Sequence, residues 1–238
     1  MSEAERPVKT RAEALAVAAA LDAPLSERLA AYFEMTRPIR PEIHAAYLRI
    51  IQRLEALRLA EIGPKVGDPM PDFILPDRGG RLVTLKALLR NGPVVLCFNR
   101  GHWCPYCQLA LRALATAHDE VRAGGGEIVS VVPERAKFSK KMTADYSLPF
   151  PVLSDIDLSY ALSLGLVYWI GAEMKAIYEK VGLDLADYQG NGNYFLPLAA
   201  TFVVGADGIV ADRHVDPDFR NRMDVDRMLA ALARLRKR

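Results

Sequence analysis

Apolar residues in the first sixty positions recur at helical spacing. Ile43, Tyr47, Ile50, Ile51, Leu54 and Leu57 stand three and four residues apart, which gathers them on one stripe of a helix. A shorter helix is predicted from about Leu25 to Met35, and Pro38 and Pro41 punctuate the gap. The helical pattern begins near Thr10 and ends near Glu61, without a strand-like run or a cysteine. Residues 1–62 therefore read as a helical arm that packs on the main body or on a second subunit, so that a homodimer is one expectation.

Gly63, Pro64, Gly67, Pro69 and Pro71 break this pattern, and a different one follows from residue 63 to 238. Short β-rich runs, Arg81 to Thr84 and Val94 to Phe98, lead to a helix from about Cys104 to Arg122. After Gly124, Gly125 and Gly126 come a strand, Glu127 to Val132, and a helix near Arg135 to Tyr146. Such alternation implies parallel strands joined by crossover helices, hence an α/β sheet covered on both faces. Helical patterns near Asp157 to Leu164 and Gly171 to Lys180 precede a hairpin, Thr201 to Val204 and Ile209 to Asp212, joined at Gly205 to Gly208. An amphipathic segment, Asp224 to Lys237, closes the chain as a helix with a basic end.

Charge and hydropathy narrow the partners. The 238 residues carry 31 Lys plus Arg against 29 Asp plus Glu, and a net charge of +2 offers no broad field to a nucleic acid. No apolar run approaches the ~18 residues needed to cross a bilayer, so no membrane partner is expected. The charged start, Met1 to Arg11, lacks the apolar stretch of a secretory signal, and the expected location is the cytoplasm.

Only three cysteines occur, Cys97, Cys104 and Cys107. The number is odd and too small for a disulfide framework, whereas a Cys-x-x-Cys pair in a reducing compartment points to redox chemistry or metal. Zinc needs two further ligands, and neither a His-x3-5-His pair nor a second Cys pair is present, so no metal or other cofactor is expected. Cys97 falls inside an apolar strand and reads as a small core residue. Cys104 follows the strand and the polar turn Asn99 to Trp103, and Pro105 suits the first helical position. Cys104 is thus an N-cap, where free amides and the helix dipole favour a thiolate and Arg100 adds positive potential. Cys107, one turn on, is placed to resolve an intermediate on the more exposed Cys104. Trp103 is a candidate to shield the sulfur and shape a groove.

From about Val66 onward the chain resembles the thioredoxin-like superfamily, and within it the peroxiredoxin-like alkyl hydroperoxide reductase/thiol-specific antioxidant group. The resemblance rests on Gly67 to Phe73 with Leu75-Pro76-Asp77, on Phe98 to Cys107, and on Ala200 to Val204 with Asp207-Gly208. It implies a central mixed sheet with a thiol at the start of its first long helix, and reduction of a hydroperoxide or a disulfide. The catalytic pair is then Cys104 and Cys107, with Arg100, Gly101, Trp103, Pro105 and Tyr106 around it as groups that bind substrate or tune the thiolate. A thiol reductant such as thioredoxin, glutaredoxin or glutathione restores the dithiol. The chain departs from the group at three places. Gly101 and Cys97 stand where the Pro-x-x-x-Thr-x-x-Cys pattern has Thr and Pro. Ala199 stands where a cis-proline or a catalytic Arg belongs, with Pro197 two residues earlier. The Thr-Val-Pro that accompanies a Cys-Pro-Tyr-Cys motif in glutaredoxins is not evident. A peroxidase, a dithiol-disulfide oxidoreductase without peroxidase activity and a non-catalytic binding protein remain as alternatives.

Overall fold

The computed structural model describes residues 8–237. The first seven positions of the arm, within the stretch read as lacking a signal, lie outside the described residues. Three helices come first: α1 (Arg11–Ala20), α2 (Leu25–Thr36) and α3 (Pro41–Ala56). Thr10 caps α1 through its hydroxyl while Glu13 reaches back to the Thr10 amide, so two otherwise orphaned donors are satisfied. A single turn at Leu59–Glu61 leads to β1 (Ile74–Pro76), β2 (Leu82–Thr84), α4 (Leu85–Leu89) and β3 (Val94–Phe98). Next come α5 (Pro105–Thr116), α6 (His118–Ala123), β4 (Glu127–Val132), α7 (Ala136–Asp145) and β5 (Val152–Ser154). The last third holds α8 (Ser159–Ser163), β6 (Val167–Trp169), α9 (Ala172–Lys180), α10 (Leu185–Gln189), β7 (Phe195–Pro197), β8 (Ala199–Val204), β9 (Val210–Asp216) and α11 (Val225–Arg236).

The main sheet has the order β5-β4-β3-β8-β9. Its strands β3, β4 and β5 are parallel, while β8 runs antiparallel to both β3 and β9. Every residue of β3 is buried because the sheet is covered on both faces: Leu96 and Phe98 join one apolar cluster, Val95 and Cys97 the other. Cys97 is the core residue its strand position suggests. The long helix expected to Arg122 is divided at Ala117, whose N–H is shared between Ala113 and Ala115 carbonyls, although no Gly or Pro marks the break. Strands β5, β6 and β7 have three residues each, too few for an alternating pattern to register.

The arm belongs to the core of the body. Leu29, Tyr32, Phe33, Tyr47, Ile50 and Leu54 lie in the same cluster as Leu96, Phe98 and Phe202. Tyr32 meets the edge of Tyr106 with ring centroids 5.2 Å apart, and Tyr47 meets Phe219 at 4.9 Å. Lys180 of α9 pairs with Glu42 of α3 at 3.0 Å, and Arg49 pairs with Glu173. The helices thus lie across the first turn of α5, where the cysteine pair sits.

Candidate functional site

The site is built at the point where β3 ends and α5 begins. Asn99 extends the ladder, its N–H donating to the Val131 carbonyl at 2.9 Å. The chain then turns at Gly101, whose φ of +135° is one that L side chains rarely adopt. A Cβ there would also collide with the Glu134 carboxyl and the Trp103 indole nitrogen. Close approach thus explains a glycine where the related pattern has Thr. Cys104 has the extended backbone of an N-cap, and Pro105 occupies the first helical position. Gln108 ties the loop down by donating to the His102 carbonyl at 2.7 Å.

Both sulfurs are unoxidised thiols, and each is 0% exposed. The Cys107 N–H donates to Cys104 Sγ at 3.4 Å, and Arg100 Nη2 donates to the same sulfur at 3.1 Å. Cys107 Sγ accepts from the Arg100 backbone N–H at 3.3 Å and from Arg222 Nη2 at 3.4 Å. Arg222 is itself held by the Asn99 side chain and the Phe219 carbonyl. Arg100 is 1% exposed and lies over Phe219, with its guanidinium carbon 3.6 Å from the ring centroid. Burial disfavours its charge, but the sulfurs and the hydroxyls of Tyr168 and Tyr178 hold it protonated.

An exposed Cys104 thiolate is not what the fold provides. Burial pushes the Cys104 thiol up, and its hydrogen bond with Cys107 pushes it further. Burial also opposes ionisation of Cys107, but the hydrogen bond from Cys104 and the facing guanidiniums of Arg222 and Arg100 hold its thiol well below the usual range. Ionisation is thus favoured at Cys107, which two guanidiniums face, over Cys104. One helix-end amide, the Cys107 N–H, does reach Cys104; the loss of water around the sulfur outweighs it.

Trp103 packs at the edge of Tyr178 and is 7% exposed. Tyr106 is wedged between Tyr32 and Phe219. Arg100, Gly101, Trp103, Pro105 and Tyr106 are therefore all brought together with the cysteines. Pro197 sits in β7 opposite Val167 with a trans peptide bond, and Ala199 opens β8. Two groups at the site carry no sequence signal, Glu134 and Arg222, while Asn99, which lies in the polar turn, was not among the expected site residues. Glu134 is 0% exposed, accepts the His102 N–H at 2.9 Å through Oε2 and leaves Oε1 without a partner. Burial, reinforced by the negative charge on Cys107, pushes its carboxyl up to about 8. Among the described residues no group of three or more His, Cys, Asp or Glu is arranged to hold a metal, and no helix is long and apolar enough to cross a membrane.

Comparison with known proteins places this geometry. A Mycobacterium tuberculosis protein named "Putative peroxiredoxin" is 38% identical over 106 residues, which is 43% of this chain and 66% of its own length. Peroxiredoxin Q of rice chloroplasts (Oryza sativa subsp. japonica) is 30% identical over 89 residues, covering 37% of this chain and 41% of the relative. The chain thus spans less than two thirds of either relative. The crystal structure of peroxidoxin BcpB from Mycobacterium tuberculosis superposes with a TM-score of 0.57 at 24% identity, over 72% of this chain and 98% of that one. That likeness shows the thioredoxin-like α/β fold. The sequence profile described as "AhpC/TSA family" matches residues 66–213, which leaves α1, α2 and α3 outside the match. With a profile match over more than half of its length and the cysteine pair at the head of α5, the chain belongs to the AhpC/TSA family of peroxiredoxins.

Proposed function

We propose that this chain is a thiol-dependent peroxidase that reduces a hydroperoxide with Cys104 and Cys107. The observation that carries the reading is the pair of buried sulfurs, each within hydrogen-bond distance of a guanidinium, in a chain of this family. Full burial also favours a small hydroperoxide over a protein disulfide, because a macromolecular disulfide has no approach to a sulfur that is 0% exposed. Cys104 is the attacking atom in this reading because both of its neighbours, Trp103 and Pro105, line a cleft, whereas of the two neighbours of Cys107 only Tyr106 does.

Cys104 passes its proton to Cys107 along their hydrogen bond and its sulfur attacks the distal peroxide oxygen. The O–O bond breaks, and the departing alkoxide takes the proton back from Cys107 and leaves as an alcohol. Cys104 is then a sulfenic acid. The Cys107 thiolate attacks the Cys104 sulfur, hydroxide leaves and is protonated to water, and an internal disulfide remains. Two thiols lose two electrons and the peroxide gains them. Arg100 steadies the charge as it moves between the sulfurs, and Arg222 keeps Cys107 ready to resolve. A thiol reductant then restores the dithiol, and the burial that keeps a protein disulfide from the pair favours a small thiol such as glutathione over thioredoxin or glutaredoxin.

Peroxide consumption in the presence of dithiothreitol tests the reading. Wild type should turn over and Cys104→Ser should not, while pre-reduced Cys107→Ser, freed of reductant, should consume one equivalent and leave a trappable sulfenic acid at Cys104. Equal consumption by wild type and Cys104→Ser would remove the basis of the assignment.

A further inference from the structure

Disulfide formation at the pair leaves one proton without a source. Reducing a hydroperoxide to an alcohol and water takes up two protons with two electrons. With ionisation favoured at Cys107, the dithiol itself holds a single proton, on Cys104. The hydroxide that leaves Cys104 needs a second one, and both sulfurs are buried away from bulk water.

A buried acid beside the pair is unused by that sequence. Glu134 follows β4, the neighbour of β3 in the sheet, and its carboxyl packs on the turn that joins β3 to the cysteines. Oε2 accepts the His102 N–H at 2.9 Å, whereas Oε1 has no partner. A Cβ on Gly101 would collide with Oε1 and stand 2.8 Å from the Trp103 indole nitrogen, which is buried and unpartnered as well. The same turn holds both cysteines. The Gly101 carbonyl accepts the Cys104 N–H at 3.2 Å, and the Arg100 N–H donates to Cys107 Sγ at 3.3 Å.

The charges around Glu134 tie its proton to the state of the pair. Among the described residues no Lys, Arg or His side chain lies within 4.0 Å of its oxygens. The His102 ring is turned to Asp145 of α7, which Lys141 also pairs, and the Arg135 guanidinium and Lys137 are taken by Asp187 of α10. Tyr188 of α10 stands near and is neutral, burial and the surrounding carboxylates pushing its hydroxyl up. Cys107 of α5 is then the charge that varies. A thiolate there repels a carboxylate at Glu134 and, together with burial, holds this carboxyl at about 8. Closing the disulfide removes the thiolate and leaves the guanidiniums of Arg100 and Arg222 without their anion, and both changes favour ionised Glu134.

We infer that Glu134 is the proton reservoir of the cysteine pair: it carries a proton in the dithiol, gives it up as the Cys104–Cys107 disulfide forms, and takes one back when the pair is reduced. Cys104 thiol, Cys107 thiolate, Glu134 carboxylic acid and a hydroperoxide become the disulfide, Glu134 carboxylate, an alcohol and water. Two electrons pass from the sulfurs to the peroxide, and the site keeps one negative charge, on Cys107 before and on Glu134 after. The hydroxide belongs to the peroxidase reading, on which this inference rests for that step alone; any two-electron oxidant of the dithiol makes the same demand for a proton.

Glutathione redox buffers count the protons without peroxide. Between pH 6 and 7 the glutathione thiols are protonated, so their exchange with wild type should be neutral in protons and its equilibrium constant unchanged. Reducing the pair of Glu134→Gln takes up one proton fewer, so its dithiol should be favoured about tenfold more at pH 7 than at pH 6. The same pH dependence in both proteins would overturn the inference. Wild type alone gives a second test should the variant fold poorly. Its oxidised-minus-reduced infrared spectrum at pH 7 should lose the C=O band of one protonated carboxyl and gain a carboxylate band, and a spectrum without that exchange would overturn the inference. Both signatures in a protein that turns over no hydroperoxide would support the reservoir and remove the peroxidase reading. Hydroperoxide turnover with neither signature would overturn the reservoir and leave the peroxidase standing.

Discussion

Replacing Glu134 by Gln keeps the shape of the side chain and removes its titration. The carboxyl is fully buried, holds the His102 N–H and has one oxygen without a partner. In the folded chain it titrates at about 8, against 4.5 for the free side chain. The sign follows from proton counting. Between those values the folded protein retains a proton that the unfolded chain has released, so stability is full below pH 4.5 and declines until the folded group ionises near pH 8. The slope is about 1.4 kcal/mol per pH unit, so wild type should lose about 2 to 3 kcal/mol more than Glu134→Gln between pH 5.5 and 7.5. Urea unfolding of both proteins at a series of pH values, under reducing conditions, measures the difference; titrations common to both cancel. Parallel stability curves, within about 0.5 kcal/mol across that range, would refute the burial argument.

Other consequences are as specific. Gly101→Ala should destabilise the fold by about 2 to 4 kcal/mol, because it combines a strained φ with a collision against Glu134 and Trp103, and thermal melting will show it. Arg222→Met should raise the Cys107 thiol and slow disulfide closure after sulfenic acid forms, visible as longer-lived trapping of Cys104 by a dimedone probe. Tyr47→Phe should lose its 3.3 Å hydrogen bond to Tyr178, a change of about 1 kcal/mol in urea unfolding. A chain starting at residue 63 should lose its cooperative melt, because the arm shares one apolar cluster with Leu96 and Phe98; a sharp native-like transition would show that the body folds alone.

Much of this architecture is written in local patterns. The β3 run, the turn after it and the Cys104-Pro105 start of α5 follow from short-range rules, and so does the grouping of Arg100 with the cysteines. The rest depends on contacts that span the chain. Arg222 reaches Cys107 across 115 residues, and in the run Arg220-Asn221-Arg222 it reads like any solvated surface arginine. Glu134 lies just past the end of β4 with no motif around it. The apolar stripe of α3 signals that something covers it, but a stripe does not name its partner, so the placement of the arm over α5 was not legible. That covering also explains why Cys104 is not the exposed thiolate that its N-cap position suggests. The field of a helix end is a local property, whereas the exclusion of water comes from Tyr32, Tyr47 and Tyr106, which only the folded chain assembles.

The central claim is that hydroperoxide converts the buried pair into an internal disulfide. The direct measurement adds one equivalent of hydroperoxide to fully reduced protein, then counts free thiols and weighs the intact chain. Free thiols should fall from three to one, leaving Cys97, and the mass should drop by two hydrogens with Cys104 linked to Cys107. Three thiols and an unchanged mass after prolonged exposure would contradict it.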